Sequence, residues 1–269
     1  MNFLDKNNNS SMKNTSLSIF FPCYNDAGTI GSLVISAYEV AKSLTYDFEV
    51  IVIDDGSEDN SKDVLDSLLQ IYKDLKIVYH ETNQGYGSVL KSGFKNSSKD
   101  FIFYTDGDGQ YDVYELRNLY NVMQDNIDVV NGYKIERNDP LYRKIIGNIY
   151  LIIMRILFRF KTRDVDCDFR LIRASAMKNI DLKHKSGVVC LELVKKLEKS
   201  GALFVDVPVR HYFRTYGKSQ IFNFKRLIII IFNILILFFD LIKVPNTPRK
   251  VIDGNSNPSL SIDNSEIGI

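Results

Sequence analysis

Two aspartates separated by one glycine, in Asp106-Gly107-Asp108-Gly109-Gln110, are the residues of this chain best placed to do chemistry. They follow the apolar run 101–104 on a turn rich in glycine. Short carboxylates on such a turn can aim at one hard divalent cation, Mg2+ or Mn2+, which takes oxygen ligands and keeps positions open for phosphate oxygens. A calcium loop does not fit, because its sixth position would be Tyr111 instead of glycine and its twelfth Arg117 instead of glutamate. A second acidic pair, Asp54-Asp55-Gly56-Ser57, also follows an apolar run. It can accept from a base N–H or a ribose hydroxyl, orient a metal's surroundings, or be a plain acidic turn. Asn83-Gln84-Gly85-Tyr86-Gly87, followed by Lys91 and Gly93, would let backbone approach a ligand closely before a helix starts. It has no Gly-Lys-Ser/Thr and does not follow the first strand, so it is neither a P-loop nor a dinucleotide fingerprint.

Asp164, Asp166 and Asp168 are candidate general bases should the reaction need one. Glu192, on a helix expected over 188–200, faces either an acceptor pocket or solvent. His80, His184 and His211 do not recur at ligand spacing, and the Tyr and Phe content, with no Trp, reads as packing instead of base stacking.

Residues 17–132 repeat an apolar run, a polar turn and a helical pattern, as βαβ units of a largely parallel sheet do. Strands are expected at 17–21, 48–53, 75–79, 100–104 and 127–131, and helices at 29–43, 61–72, 88–96 and 113–124. Strand ends run into polar clusters at 22–27, 54–60 and 105–112, which places the acidic motifs along one crevice at the carboxyl edge of the sheet.

Beyond Gly132 the pattern changes. Segment 145–160 is strongly apolar, with Lys144, Asn148, Arg155 and Arg159 forming one polar stripe, as in an interfacial helix; a core helix is the alternative. Segment 227–242 is apolar except for Asn233 and Asp240 and is flanked by Lys225, Arg226 and Lys243. Sixteen helical residues reach roughly 24 Å against a hydrocarbon core of roughly 30 Å. A helix lying in or dipping into the cytoplasmic leaflet is therefore expected first, a short span second and a buried helix third. Segments 1–16 and 244–269 read as disordered tails.

With 269 residues, 45% of them hydrophobic and 25% charged, the chain is neither a disulfide miniprotein nor a collagen, and it is not disordered throughout. Lys and Arg number 34 against 33 Asp and Glu, so charge does not point to nucleic acid. Three widely spaced cysteines and no signal-like apolar core in the first sixteen residues suit a reducing, cytosolic setting.

Taken in order, Pro22-Cys23-Tyr24-Asn25-Asp26, Asp54-Asp55-Gly56-Ser57, Asn83-Gln84-Gly85-Tyr86-Gly87, Asp106-Gly107-Asp108-Gly109-Gln110, Asp164…Phe169-Arg170 and Val207-Pro208-Val209…Arg214-Thr215-Tyr216-Gly217-Lys218-Ser219 resemble family 2 glycosyltransferases. The branch most similar is that of the dolichol- or polyprenol-phosphate mannosyltransferases, and the resemblance covers about 17–224. It implies an α/β glycosyltransferase A fold with a catalytic domain over 17–224, to which the apolar segments read above add an interfacial helix near 141–160 and a membrane-associated helix over 225–243. The activity implied is metal-dependent, inverting transfer of mannose or another hexose from a nucleotide sugar to a polyprenyl or dolichyl monophosphate at the cytoplasmic face of a membrane. By the same resemblance Pro22, Tyr24, Ile53 and Asp55 hold base and ribose. Asp26 stands where glutamate is usual. Asp106 and Gly107 contact the donor, and Asp108 and Gln110 bind Mg2+ or Mn2+. Lys134 replaces an arginine that lies against phosphate, and Arg214 is a phosphate-binding arginine on a mobile loop. Asp106, Asp108 and Arg214 form the catalytic core so implied. The lysine usual six residues after Arg214 is Gln220 here, and Lys218 is its substitute. These departures leave GDP-mannose and a UDP-sugar both open as donor.

An acceptor phosphate is already an oxyanion and needs no base, and Arg170 with Arg143, Lys144, Arg155 or Arg159 is expected to hold it. Transfer to a sugar hydroxyl of a cell-surface glycan, with an aspartate of 164–168 as base, is the rival enzyme. A non-catalytic nucleotide-sugar-binding membrane protein is the third reading.

Overall fold

The computed structural model describes residues 15–135, 141–214, 216 and 224–244, with side chains for all of these except 141–148, 151 and 224–231. Lys218, Gln220 and nearly all of both expected tails lie outside the described residues.

Seven strands form one sheet: β1 (Leu17–Cys23), β2 (Phe48–Asp54), β3 (Lys76–Tyr79), β4 (Phe101–Thr105), β5 (Val129–Ile135), β6 (Phe169–Arg173) and β7 (Phe204–Arg210). Their spatial order is β3-β2-β1-β4-β6-β5-β7. All neighbouring pairs are parallel except those made by β6, which runs antiparallel to both β4 and β5. The helices are α1 (Ile30–Leu44), α2 (Ser61–Ile71), α3 (Tyr86–Asn96), α4 (Leu116–Val122), α5 (Leu141–Phe158), α6 (Ala174–Met177), α7 (Val189–Lys199) and α8 (Phe224–Lys243).

Every residue of β1 is buried, as a central parallel strand covered on both faces requires. Leu17, Ile19, Phe21, Val50, Val52 and Phe103 pack on one face against Ile30, Val34 and Ala37 of α1 and Leu65 of α2. Phe20, Ile51, Ile53, Ile102 and Tyr104 pack on the other against Val89 and Leu90 of α3 and Val189, Leu193 and Leu197 of α7. A third apolar layer lies outside α7, where Val188, Leu191 and Val194 meet Met154 and Phe158 of α5 and Ile234, Leu237 and Leu241 of α8.

The five expected strands and the four helices over 29–124 are present with shifted ends. Segment 113–124 divides into a 3-10 turn, Val113–Glu115, and α4; the Asp112 carboxylate caps the turn by accepting from Tyr114 N. Helix α3 begins at Tyr86, two residues earlier than expected, directly after Gly85 at φ 90°. Neither β6 nor β7 was among the expected strands. Pro208 is compatible with β7 because that strand is at the edge and pairs with β5 alone.

The apolar segment near the C-terminus is neither wholly buried nor wholly outward. Leu237 is fully buried and Ile234 and Leu241 nearly so, whereas Phe232, Leu235, Ile236, Phe239 and Ile242 are exposed. Ile149, Ile152, Ile153 and Ile156 of α5 are exposed at the same helical spacing. Among the described residues no helix is long and apolar enough to cross a membrane.

Candidate active site

Strand β4 ends at Thr105, opposite Phe169, where β6 begins. The reversal of β6 therefore delivers the segment before it, Asp164 to Asp168, to the same sheet edge as Asp106 and Asp108. The turn carrying those two acids is seated tightly. A Cβ on Gly107 would stand 2.2 Å from the Pro22 carbonyl oxygen, and Gly109 has φ +72°. The buried Thr29 hydroxyl donates to Gly107 O at 2.7 Å and ties the turn to the start of α1.

Asp106 Oδ1 accepts from the Tyr86 hydroxyl at 2.6 Å. Burial, then the neighbouring charges of Asp168 and Asp108, push the Asp106 carboxyl well above the usual range. Asp108 is 5% exposed and accepts from Gln110 N at 3.0 Å and from the Arg214 guanidinium. Burial raises its carboxyl too, against the pull of Arg214. Gln110 Nε2 donates to Tyr212 O at 2.9 Å, and Tyr212 N donates to Gln110 O at 2.8 Å. Those bonds fasten the segment that brings in Arg214 and leave the Gln110 amide oxygen as its remaining acceptor. Asp26, next to this turn, accepts from Tyr24 N at 3.1 Å, and its carboxyl is pushed up to about 6, chiefly by burial.

Other expected site residues are occupied by the protein itself. Asp54 accepts from Ser57 Oγ at 2.5 Å and Ser57 N at 3.2 Å. Asp55, 2% exposed, accepts from Gln84 N at 3.0 Å, Gly85 N at 2.9 Å and His80 Nδ1 at 2.6 Å; it fastens the loop leading to α3. Ile53 is sealed in the core and offers no side-chain surface to a base. Pro22 contributes its carbonyl to the seat of Gly107, and Tyr24 is half-buried beside it. The glycines at 85 and 87 were expected to admit a ligand to the backbone, yet they admit another segment of the protein. Their Cβ atoms would lie 2.7 Å from Lys185 O and 2.1 Å from His184 O respectively.

Arg170 does not face a lipid phosphate. It is 0% exposed, donates to Asn131 Oδ1 at 2.7 Å and Asp168 Oδ1 at 2.7 Å, and also bonds Tyr104 OH and Val165 O, joining β4, β5 and β6. Lys134 Nζ donates to Asp166 O at 2.8 Å and lies 3.7 Å from Asp164 Oδ2. Arg155 bonds the Arg163 carbonyl, and Arg159 is exposed at the end of α5. The side chains of Arg143 and Lys144 are outside the described ones. Glu192 meets neither solvent nor an acceptor pocket. It is 1% exposed, accepts from Lys183 N at 2.9 Å and His184 N at 3.0 Å, and pairs with Lys196 at 2.6 Å. Among the three candidate bases, Asp166 has its carboxyl pushed up to about 7 by burial, with Lys134 opposing.

Sequence reasoning missed Tyr86 as a partner of Asp106 and Asp168 as a charge felt by both Asp106 and Asp108. The tyrosine stood inside a motif already singled out, but nothing in its spacing marked the hydroxyl.

The donor set suits a hard divalent cation. Asp106, Asp108 and the Gln110 amide all offer oxygen donors, and Asp106 and Asp108 stand two residues apart on the same turn. Among the described residues no group of three or more His, Cys, Asp or Glu could by itself hold a metal ion. One or two carboxylates completed by phosphate oxygens is the usual arrangement for Mg2+.

Residues 18–181 match the model of the family described as Glycosyl transferase family 2. Undecaprenyl-phosphate 4-deoxy-4-formamido-L-arabinose transferase of Yersinia pestis (strain Pestoides F) is 26% identical over 221 residues, covering 81% of this chain and 66% of that protein. The chain thus spans just under two thirds of this relative's length. The transferase of the same description from Yersinia pseudotuberculosis serotype O:3 (strain YPIII) matches to the same extent. Glucosyl-3-phosphoglycerate synthase from Mycobacterium tuberculosis, in complex with Mn2+, UDP and phosphoglyceric acid, superposes with a TM-score of 0.68 at 14% identity, covering 89% of this chain and 82% of that one. Its complex with Mg2+ and UDP gives 0.65 at 13% identity, with 89% and 85% covered. That likeness establishes the fold, which is the glycosyltransferase A fold. With the family match extending over more than half of the residues, the chain belongs to glycosyl transferase family 2.

Proposed function

We infer that this protein transfers a sugar from a nucleotide sugar to a polyprenyl phosphate at the cytoplasmic face of a membrane. The observation that carries this reading is the convergence of Asp106, Asp108, Gln110 and Arg214 on one turn at the carboxyl edge of the sheet. Asp108 and the Gln110 oxygen would hold Mg2+ or Mn2+, with Asp106 against the donor. When bound, the cation offsets charge developing on the leaving diphosphate. Arg214, lying on Asp108, is placed to pair with that diphosphate, and Asp26 borders the same turn. An acceptor phosphate attacks as an oxyanion, so no side chain has to remove a proton and the protein's work is alignment and charge balance.

The acceptor class is supported by the undecaprenyl-phosphate transferase to which the chain is similar, and a UDP-sugar by the UDP bound in the structural neighbours. GDP-mannose is the second donor to test. The exposed apolar stripes of α5 and α8 support docking on a bilayer surface, with α8 lying in the interface and its buried side holding the third apolar layer together.

A second reading, transfer to a sugar hydroxyl, is favoured by Asp166 alone, whose carboxyl at about 7 is poised to act as a base near neutrality. The deciding experiment measures nucleoside diphosphate release from UDP- and GDP-sugars with Mg2+ or Mn2+, with and without a short polyprenyl phosphate. Release dependent on the lipid phosphate is expected. Release indifferent to it but stimulated by a glycan would replace the first reading with the second.

A further inference from the structure

The Tyr86 hydroxyl is 2.6 Å from Asp106 Oδ1, and its placement is enforced from two sides. On one side, Asp55 takes the backbone N–H groups of Gln84 and Gly85 and is itself held by His80, whose other ring nitrogen meets Ser92 Oγ at 2.9 Å. On the other, the segment 183–185 presses on the glycines flanking Tyr86. Gly87 N donates to Lys185 O at 2.8 Å, and the missing side chains at 85 and 87 are what permit the contact. That segment is fixed in turn by the buried Glu192 carboxylate, which takes Lys183 N and His184 N, and by Lys91 Nζ on Lys183 O at 3.0 Å. Two buried carboxylates away from the reacting atoms thus converge on one short motif whose single hydroxyl points at the acid centre.

We propose that Tyr86 is a positioning residue. Its hydroxyl occupies Oδ1 of Asp106 and so commits Oδ2 to the donor and its cation, while Glu192, through the backbone of 183–185, keeps Tyr86 in place. A hydrogen bond to a charged group fixes the carboxylate rotamer, so losing it lets Asp106 turn and leaves ligand binding to reorder the group. This rests on the acid centre being the nucleotide site, as proposed above.

The test is calorimetric titration of the full chain with Mn2+ plus UDP and with Mn2+ plus GDP, alongside thermal unfolding without ligand. Tyr86→Phe keeps the ring that packs against the second apolar face and removes only the hydroxyl. It is expected to weaken binding of the Mn2+ and nucleotide pair about tenfold, with the unliganded melting temperature unchanged. Glu192→Gln is expected to weaken it by a smaller factor, and the double variant to bind no more weakly than Tyr86→Phe, because both act through the same contact. Native affinity in Tyr86→Phe would overturn the role of the hydroxyl. Additive losses in the double variant would overturn the path from Glu192. If the native protein bound neither nucleotide with Mn2+, the reading of the site itself would fall.

Discussion

At the scale of single residues, buried charge explains both the reactivity of the site and its cost. Asp26, Asp106, Asp108 and Asp166 all have carboxyls raised chiefly by burial, which means each is harder to ionise in the folded chain than in the unfolded one. For Asp166, raised from 3.8 to about 7, the folded chain holds a proton that the unfolded chain releases above about pH 4. Its contribution to stability is full below that pH and is lost as the pH rises through about 7. Asp166→Asn should remove this slope and leave the protein more stable at pH 8 by roughly 2 to 4 kcal/mol, with little difference near pH 4. Urea unfolding at the two pH values checks it, and an equal loss at both would show that the effect of the substitution does not depend on ionisation of this carboxyl.

Single elements often carry two functions on two faces. Helix α8 closes the third apolar layer with Ile234, Leu237 and Leu241 and turns Phe232, Leu235, Ile236, Phe239 and Ile242 outward. Deleting the helix to test membrane binding would therefore also uncover α7. The faces are better separated by substitution. Leu237→Ala should cost about 2 to 5 kcal/mol of stability by leaving a cavity, measured by denaturant titration, with the outward face intact. Phe239→Ser should leave stability nearly unchanged and reduce sedimentation with liposomes, because each exposed aromatic lost removes apolar area from the interface. Unchanged liposome binding with both Phe232 and Phe239 replaced would move the docking surface to the stripe of α5. Helix α7 shows the same economy: one face meets the sheet, the opposite face meets α5 and α8, and Glu192 at its first turn fastens the loop that bears on α3.

For the whole molecule, stability and function meet at one sheet edge. Arg170, Tyr104, Asn131 and Asp168 join three strands beneath the acid centre, so the platform is rigid where the acids stand on it. Ligands that bind the folded chain and not the unfolded one should stabilise it. Mn2+ and UDP at about a hundred times their dissociation constant should add about 2.7 kcal/mol, a rise of several degrees in melting temperature. Asp108→Ala should abolish that rise and divalent-dependent turnover while the unliganded protein melts no lower. A rise that survives the substitution would place the cation elsewhere.

The sequence by itself determined the parallel half of the sheet. Strands β1, β2 and β4 read as apolar runs because both faces are buried, and their carboxyl ends carry the acidic motifs because those ends open to a crevice. The turn that carries Asp106, Asp108 and Gln110 was legible for the same reason, being a local feature at the end of β4. Only the tertiary structure decided what depends on pairing between distant segments. Strand β6 is short and contains two arginines, and its reversal between β4 and β5 is a matter of which strand edges remain to be paired. That reversal turns Arg170 inward to satisfy Asp168 and Asn131, so a residue that composition assigns to a phosphate became a buried tie. Glu192 and the glycines at 85 and 87 were misread, because a carboxylate or a bare backbone looks the same in sequence whether a ligand or another loop of the protein will occupy it.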